Sequence, residues 1–170
     1  TGNALGQVEQ AVPLNFQISR ELTPPTISAD DMSFNEEGSG NFEFDVFTSE
    51  PNTEIDAREV RSIPEGWTIT DADTPSNTFT ATADTHTADV SDWGDNFSVA
   101  PADNFSGAHD LTLWTEVSLD DPLLGVQVKD DTHTLRVSVN AVADAPEIYL
   151  DSASYVLNED QTLNLDIDFQ

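Results

Sequence analysis

Residues 111–140 run LTLWTEVSLD DPLLGVQVKD DTHTLRVSVN, and this stretch decides the fold class. Apolar or β-branched residues alternate with polar ones in three runs, which are Leu111/Leu113/Thr115/Val117, Leu124/Val126/Val128 and Leu135/Val137/Val139. Alternation with a period of two is typical of a β-strand that buries one face. The turn-forming triplet Asp120-Asp121-Pro122 separates the first run from the second. The stretch therefore predicts successive β-strands.

The rest of the chain shows the same pattern in shorter runs. Phe42, Phe44 and Val46 alternate clearly, and weaker strands are predicted at residues 60–63, 67–69, 79–83 and 97–99. Turn signals separate these runs at residues 64–66 (PEG), 74–77 (TPSN) and 106–107 (SG). Seven or eight short strands in about 120 residues predict an all-β fold, a two-sheet β-sandwich of the immunoglobulin or cadherin kind.

Composition limits how such a sandwich is held together. The chain has no cysteine, so the disulfide that joins the two sheets in many such domains is excluded. We expect a buried aromatic residue, Trp67 or Trp114, to anchor the core instead. At 37% hydrophobic residues, the 170-residue chain can form one domain with a true core and part of a second.

The charge balance excludes several classes of partner. Asp and Glu number 33 against 5 Lys and Arg, which gives a formal net charge of -28. Nucleic acids and anionic membrane surfaces are bound mainly through basic residues, so neither is an expected partner. No apolar run is long enough for direct membrane insertion as a helix. Because high net charge strains a compact fold by self-repulsion, we expect bound cations to complete the fold.

An internal repeat divides the chain. The run Leu14–Ile18 resembles Leu135–Val139, 121 residues later, and at the same spacing Pro25 corresponds to Pro146. Each strand and proline joint is followed by an acidic phrase, SFNEE at 33–37 and VLNED at 156–160. The predicted organisation is the tail of one repeat at 1–22, a complete repeat at 23–143, and a joint with the start of the next repeat at 144–170.

Three phrases carry a family resemblance. Residues 138–146 (SVNAVADAP), 158–163 (NEDQTL) and 100–107 (APADNFSG) resemble phrases of the cadherin-like and immunoglobulin-like repeats in the extender region of bacterial repeats-in-toxin (RTX) adhesins. The resemblance implies an extracellular protein secreted to the bacterial cell surface, with calcium (Ca²⁺) bound at the joints between repeats. Residues 48–95 match no phrase of the family, and Thr23 stands where the second joint has Asp144. We therefore expect weaker calcium binding at the first joint.

Acidic loops are the candidate metal sites, because calcium takes six to eight oxygen ligands, mainly carboxylates and carbonyls. The predicted metal ligands are Glu36, Glu37, Asp71, Asp73, Asp130, Asp131, Asp144, Glu159 and Asp160. The resemblance implies that Glu36 and Glu37 meet Asp144 at one joint, and that Glu159 and Asp160 serve the next. Asp71-Ala72-Asp73 begins like an EF-hand loop, but Ser76 and Thr82 occupy positions that require Gly and Glu.

No catalytic motif is present in the sequence, so we expect a non-enzymatic protein. Ser106, His109 and Asp110 are triad residue types that stand at the start of a predicted strand, which does not suggest catalysis. The leading hypothesis is a structural extender whose direct partners are neighbouring repeats of the same chain. Host or environmental glycans or proteins would be bound through the distal part of the adhesin.

The alternative function is a ligand-binding module of the same adhesin, for a carbohydrate or a peptide. Its binding site would lie in residues 48–95, which include Trp67 and Trp93. The two terminal segments raise a separate question, because incomplete repeats leave open strand edges. We expect them to pair with each other as halves of a split domain, with the central repeat, or with another molecule.

Overall fold

The computed structural model describes residues 13, 15–143, 148–149, 159 and 168–169. These residues form strands, turns and bends but no helix, so the predicted all-β fold is confirmed. The strands within them are β1 (Thr26–Ser28), β2 (Met32–Asn35), β3 (Gly40–Glu43), β4 (Asp45–Phe47), β5 (Glu54–Ile63), β6 (Thr68–Asp71), β7 (Thr78–Thr80), β8 (His86–Asp89), β9 (Asn96–Ala100), β10 (Gly107–Asp121), β11 (Gly125–Asn140), β12 (Ile148–Tyr149) and β13 (Asp168–Phe169).

Two sheets pack into a sandwich. One sheet has the strand order β2-β11-β10-β5-β8, and the other has the order β3-β9-β6-β7. All neighbours are antiparallel except β2 and β11, which are parallel. β1 and β4 form a two-stranded ribbon, and β12 pairs with β13.

The core lies between the sheets and is built from alternate positions of each strand, as a period-two pattern requires. In β10 every odd residue from Leu111 to Asp121 is buried, while the even residues are more exposed. Trp67 is 1% exposed and meets Phe105 edge to face, with 5.0 Å between ring centroids. The prediction of an aromatic core anchor is thus confirmed for Trp67.

Trp114 has a different position from the one expected for a core anchor. It occupies an even position of β10 and is only half-buried. The guanidinium of Arg61 lies 4.0 Å from the centroid of its ring, and its Nε1 donates a hydrogen bond to Asp130 at 3.1 Å. A cation over an indole face is attracted by the ring quadrupole, so Trp114 organises the outer face of the sheet.

A buried arginine ties the two sheets together. Arg58 of β5 is 6% exposed, and its guanidinium donates to Asp95 at 2.6 Å, to the carbonyl of Gly94 at 3.2 Å and to the carbonyl of Trp93. The segment that it holds leads directly into β9 of the opposite sheet. A buried cation needs such complete pairing, because its desolvation is otherwise costly.

The strand pattern was predicted for most of the sandwich but not for all of it. β1, β2 and β8 were not predicted, and β7 ends at Thr80, short of the expected residue 83. β8 (HTAD) buries only Ala88, so it offers no apolar alternation to detect. Of the run Leu14–Ile18, residues 15–18 belong to no strand, and Phe16 and Ile18 are 82% and 83% exposed. An alternating run forms a strand only where a neighbour supplies hydrogen bonds.

Candidate functional site

The parallel pairing of β2 with β11 brings the first acidic phrase to the segment that follows β11, where the sequence predicts a joint. In this register Asn35 lies beside Asn140, the last residue of β11. The contact extends one residue beyond β2, because the Glu36 N–H donates to the Asn140 carbonyl at 2.9 Å. Two segments more than one hundred residues apart therefore leave the sheet side by side.

Glu36 extends this contact through its side chain. Its Oε1 accepts a hydrogen bond of 2.6 Å from the backbone N–H of Val142. The next residue, Glu37, is exposed and has a left-handed backbone with φ 62°, in a turn closed by a bond from the Gly38 N–H to the Asn35 carbonyl. The turn leaves the half-buried carboxylate of Glu36 beside residues 140–142, and the exposed carboxylate of Glu37 follows it in the chain. Asp144, the third expected ligand, lies outside the described residues.

Asp71 is a structural acceptor. It is 1% exposed, and its Oδ1 accepts from the backbone N–H groups of Asp73 at 2.9 Å and Thr74 at 3.0 Å. Its Oδ2 accepts from the Gly94 N–H at 3.2 Å and from Asn77 Nδ2 at 3.3 Å. Burial by itself would raise the pKa of Asp71, but these four donors outweigh it and hold the pKa below its ordinary value.

Asp73 is exposed and lines an open groove of ≈ 580 Å³ between the 28–31, 41–45 and 96–97 segments. Its Oδ2 accepts from Asn96 Nδ2 at 2.8 Å. The other acidic residues that line the groove are Asp30, Asp31, Glu43 and Asp45. One oxygen of Asp31 already has a hydrogen-bond partner, because its Oδ1 accepts from the Arg136 N–H at 2.8 Å.

Asp130 and Asp131 do not belong to a loop, contrary to the expectation for a loop site. They lie in the middle of β11, opposite Glu116 and Thr115 of β10. Successive residues of a strand point to opposite faces, so the two carboxylates cannot share one ion. Asp130 instead accepts from Trp114, as described above.

The remaining predicted ligands are Glu159 and Asp160. Glu159 is exposed in a turn, and Asp160 lies outside the described residues. Among the residues that the structure describes, no three Asp, Glu or His side chains lie close enough together to hold one ion. His109 contacts the Ser62 carbonyl at 2.8 Å, and Asp110 pairs with Arg136 at 3.0 Å, so these two residues are engaged elsewhere.

No family model, curated protein or solved structure matches the chain. The described part of the chain contains no helix long and apolar enough to cross a membrane. The contacts between Glu36 and residues 140–142 and the arrangement of the carboxylates are therefore the features that bear on function.

Sequence reasoning missed Asp121 as a structural residue. Asp121 is 4% exposed, and its carboxylate accepts from the backbone N–H groups of Arg20, Leu123 and Leu124 at 2.9, 2.8 and 2.8 Å. These bonds, that from Arg20 foremost, hold its pKa below the ordinary value. The signal that could have found part of this arrangement is an Asp followed by a turn, because Asp side chains accept from N–H groups two residues further along.

Proposed function

We propose that this chain is a non-enzymatic structural segment of a bacterial surface adhesin, in which calcium stiffens the joints between immunoglobulin-like or cadherin-like units. The observation that supports it best is the hydrogen bond from the Val142 N–H to Glu36 Oε1 at 2.6 Å. It sets the first acidic phrase against the segment that leads to Asp144, as the extender hypothesis requires.

The chemistry of the joint fits a hard cation. Glu36 and Glu37 supply carboxylate oxygens, and Asp144 follows Val142 by two residues. Calcium coordinates such oxygens with flexible geometry. A chain with net charge -28 gains from a divalent cation at this position, since two like charges about 4 Å apart repel by about 4 kcal/mol at an effective dielectric of about 20.

The ligand-binding alternative has lost one of its two aromatic candidates. Trp67 is buried in the core and cannot present a ring to a sugar. Trp93 is half-buried and stacks on Phe97 at 6.1 Å with an interplanar angle of 21°, so one of its faces already packs against the core. Trp93 is therefore the residue on which that alternative depends.

The test is thermal unfolding together with small-angle scattering of the full 170-residue chain, first in chelator and then with calcium added back. We expect calcium to raise the melting temperature and to narrow the distribution of scattering dimensions. A site filled at about one hundred times its dissociation constant adds about 2.7 kcal/mol. Identical melting and identical dimensions in the two conditions would refute the proposal.

Glu36→Gln is the decisive variant, because glutamine keeps an oxygen acceptor for the Val142 N–H but removes the charge. We expect normal melting in chelator and a weakened response to calcium. Glu65→Gln, at an exposed residue in the turn after β5, is the matched control and should respond as the wild type does. About 1 M potassium chloride separates binding from screening, since it shortens the Debye length to about 3 Å without supplying a divalent ion.

A further inference from the structure

The long hairpin of β10 and β11 extends beyond its neighbours in the sheet. β5 pairs with β10 only up to Ser118, and β2 pairs with β11 only from Val137. The end of the hairpin nevertheless has buried residues on its inner face, since Val117 and Leu119 are 0% and 6% exposed. Strands of the same sheet lie at the edges of the hairpin, so residues from outside the sheet must cover that face.

The cover is the segment that precedes the sandwich. Leu22 is 2% exposed and packs with Val117 and Leu119 in a small apolar cluster, against which Val46 also packs. This cluster is separate from the main core of the sandwich. We call the surface formed by Val117, Leu119, Asp121 and Gln127 the hairpin socket.

Polar contacts fix the direction of the segment in the socket. The Gln127 side chain accepts from the Leu22 N–H at 2.9 Å and donates to the Arg20 carbonyl at 2.7 Å. Asp121 accepts from the Arg20 N–H at 2.9 Å. The amide of Gln127 thus bonds one donor and one acceptor of the segment, as the backbone of a neighbouring strand would.

We propose that the hairpin socket is the receptor surface for residues 20–22 and forms a calcium-independent joint that holds the preceding segment against the sandwich. This proposal rests on the proposed function, and it assigns different interactions to the two ends of the repeat. At the first joint, where Thr23 replaces the aspartate, direct hydrogen bonds and Leu22 take over the role of the cation. Gln127 is neutral, and the carboxylate of Asp121 already accepts three N–H groups.

Trypsin provides a direct test, because Arg20 is the first Lys or Arg of the chain and lies inside the docked segment. Cleavage after Arg20 releases residues 1–20, which mass spectrometry detects. A protease acts on a segment that has left its docked state, so the cleavage rate reports the docking equilibrium. A synthetic peptide of residues 13–27 gives the undocked rate and corrects for the effect of each buffer on trypsin itself.

We expect the full chain to be cleaved after Arg20 much more slowly than the peptide. Gln127→Ala removes two hydrogen bonds and should accelerate cleavage about tenfold. Gln127→Glu keeps the acceptor for the Leu22 N–H but places a second acceptor against the Arg20 carbonyl, where a donor is needed, so it should also accelerate cleavage. Thr134→Ala, at an exposed residue of the same strand, is the matched control and should leave the rate unchanged.

Tryptic cleavage measured in calcium and in chelator tests this inference separately from the proposed function. The peptide-corrected cleavage rate after Arg20 should be the same in calcium and in chelator. If chelator accelerates cleavage as much as Gln127→Ala does, the joint depends on the metal and the inference is wrong. It is also wrong if Gln127→Ala leaves the rate unaltered or if the wild-type chain is cleaved as fast as the peptide. Failure of calcium to stiffen the chain would overturn the proposed function and leave the tryptic result standing.

Discussion

Replacing Asp71 by alanine tests whether this carboxylate holds the fold or a metal. The side chain accepts two N–H groups from its own loop, the Gly94 N–H and the amide of Asn77. The variant removes all four bonds at once. One of the four is the bond from the Gly94 N–H, which joins Asp71 to the segment that leads into β9.

The expected loss of stability follows from these contacts. Hydrogen bonds to charged groups contribute about 1.5–3 kcal/mol each, and a buried donor left without a partner costs about 1–3 kcal/mol. The Asp73 and Thr74 N–H groups lie in an exposed loop, where water can replace the carboxylate, so they contribute at the low end. We expect Asp71→Ala to lower the free energy of unfolding by about 3–5 kcal/mol, a large share of the typical 5–15 kcal/mol.

Urea unfolding followed by tryptophan fluorescence measures the effect. With a slope of about 2 kcal/mol per molar urea, the midpoint should fall by about 2 M. The matched control is Asp73→Ala, which removes an exposed carboxylate with one side-chain partner and should cost less than about 1 kcal/mol. The destabilisation by Asp71→Ala should be equal in calcium and in chelator. A loss that appears only in calcium would show that Asp71 is a metal ligand and would refute the structural reasoning.

Three further predictions use the same unfolding measurements. Arg58→Met should cost about 1–3 kcal/mol, because it leaves the half-buried carbonyl groups of Trp93 and Gly94 without their donor, whereas Asp95 is exposed to water. Trp67→Ala should cost about 3–5 kcal/mol, because it leaves a cavity in the core. Trp114→Ala, on the outer face, should cost about 1 kcal/mol, mainly the contact with Arg61. Equal losses of stability would contradict the assignment of the two tryptophans to different faces. The pKa values of Asp71 and Asp121 lie below the ordinary 3.8 in the folded chain. Their contribution to stability should therefore be complete above pH 3.8 and fall as the pH drops through the lower folded values, which acid titration of the melting temperature checks.

Strand positions were most predictable where apolar residues alternate over several positions of one strand. β10 alternates from Leu111 to Leu119, and its burial follows the alternation residue by residue. β11 instead joins two predicted runs across the polar residues 129–134, and only the second run, Leu135 to Val139, has buried residues, because Val126 and Val128 are exposed. The turn at Pro64-Glu65-Gly66 was predictable too, from its proline and glycine. Gly66 has φ 79°, a conformation that glycine adopts without strain. β8 could not be predicted, since its position depends on pairing with β5 at Val60 and Ile63 rather than on its own composition.

The roles of the carboxylates were less predictable than the strands. The sequence shows where acidic residues cluster, but it does not show which N–H groups come within reach of each. Asp71 and Asp73 are two residues apart, yet one is buried with four donors and the other is exposed. Glu36 was assigned to the joint by resemblance, and the parallel pairing of β2 with β11 supplies a physical reason for its position there.

The placement of charge indicates where a cation would have its largest effect. In the described part of the chain, no buried side-chain nitrogen or oxygen lacks a hydrogen-bond partner. The buried aspartates are satisfied by N–H groups and the buried arginine by oxygens, so the interior of the sandwich does not depend on a metal to balance it. Self-repulsion from the net charge of -28 therefore acts mainly among carboxylates on the surface and at the predicted joints. Chelation should accordingly alter the distances between units more than the stability of the sandwich, because Glu36 and Glu37 are adjacent in the turn that contacts Val142, and neither forms an ion pair among the described residues.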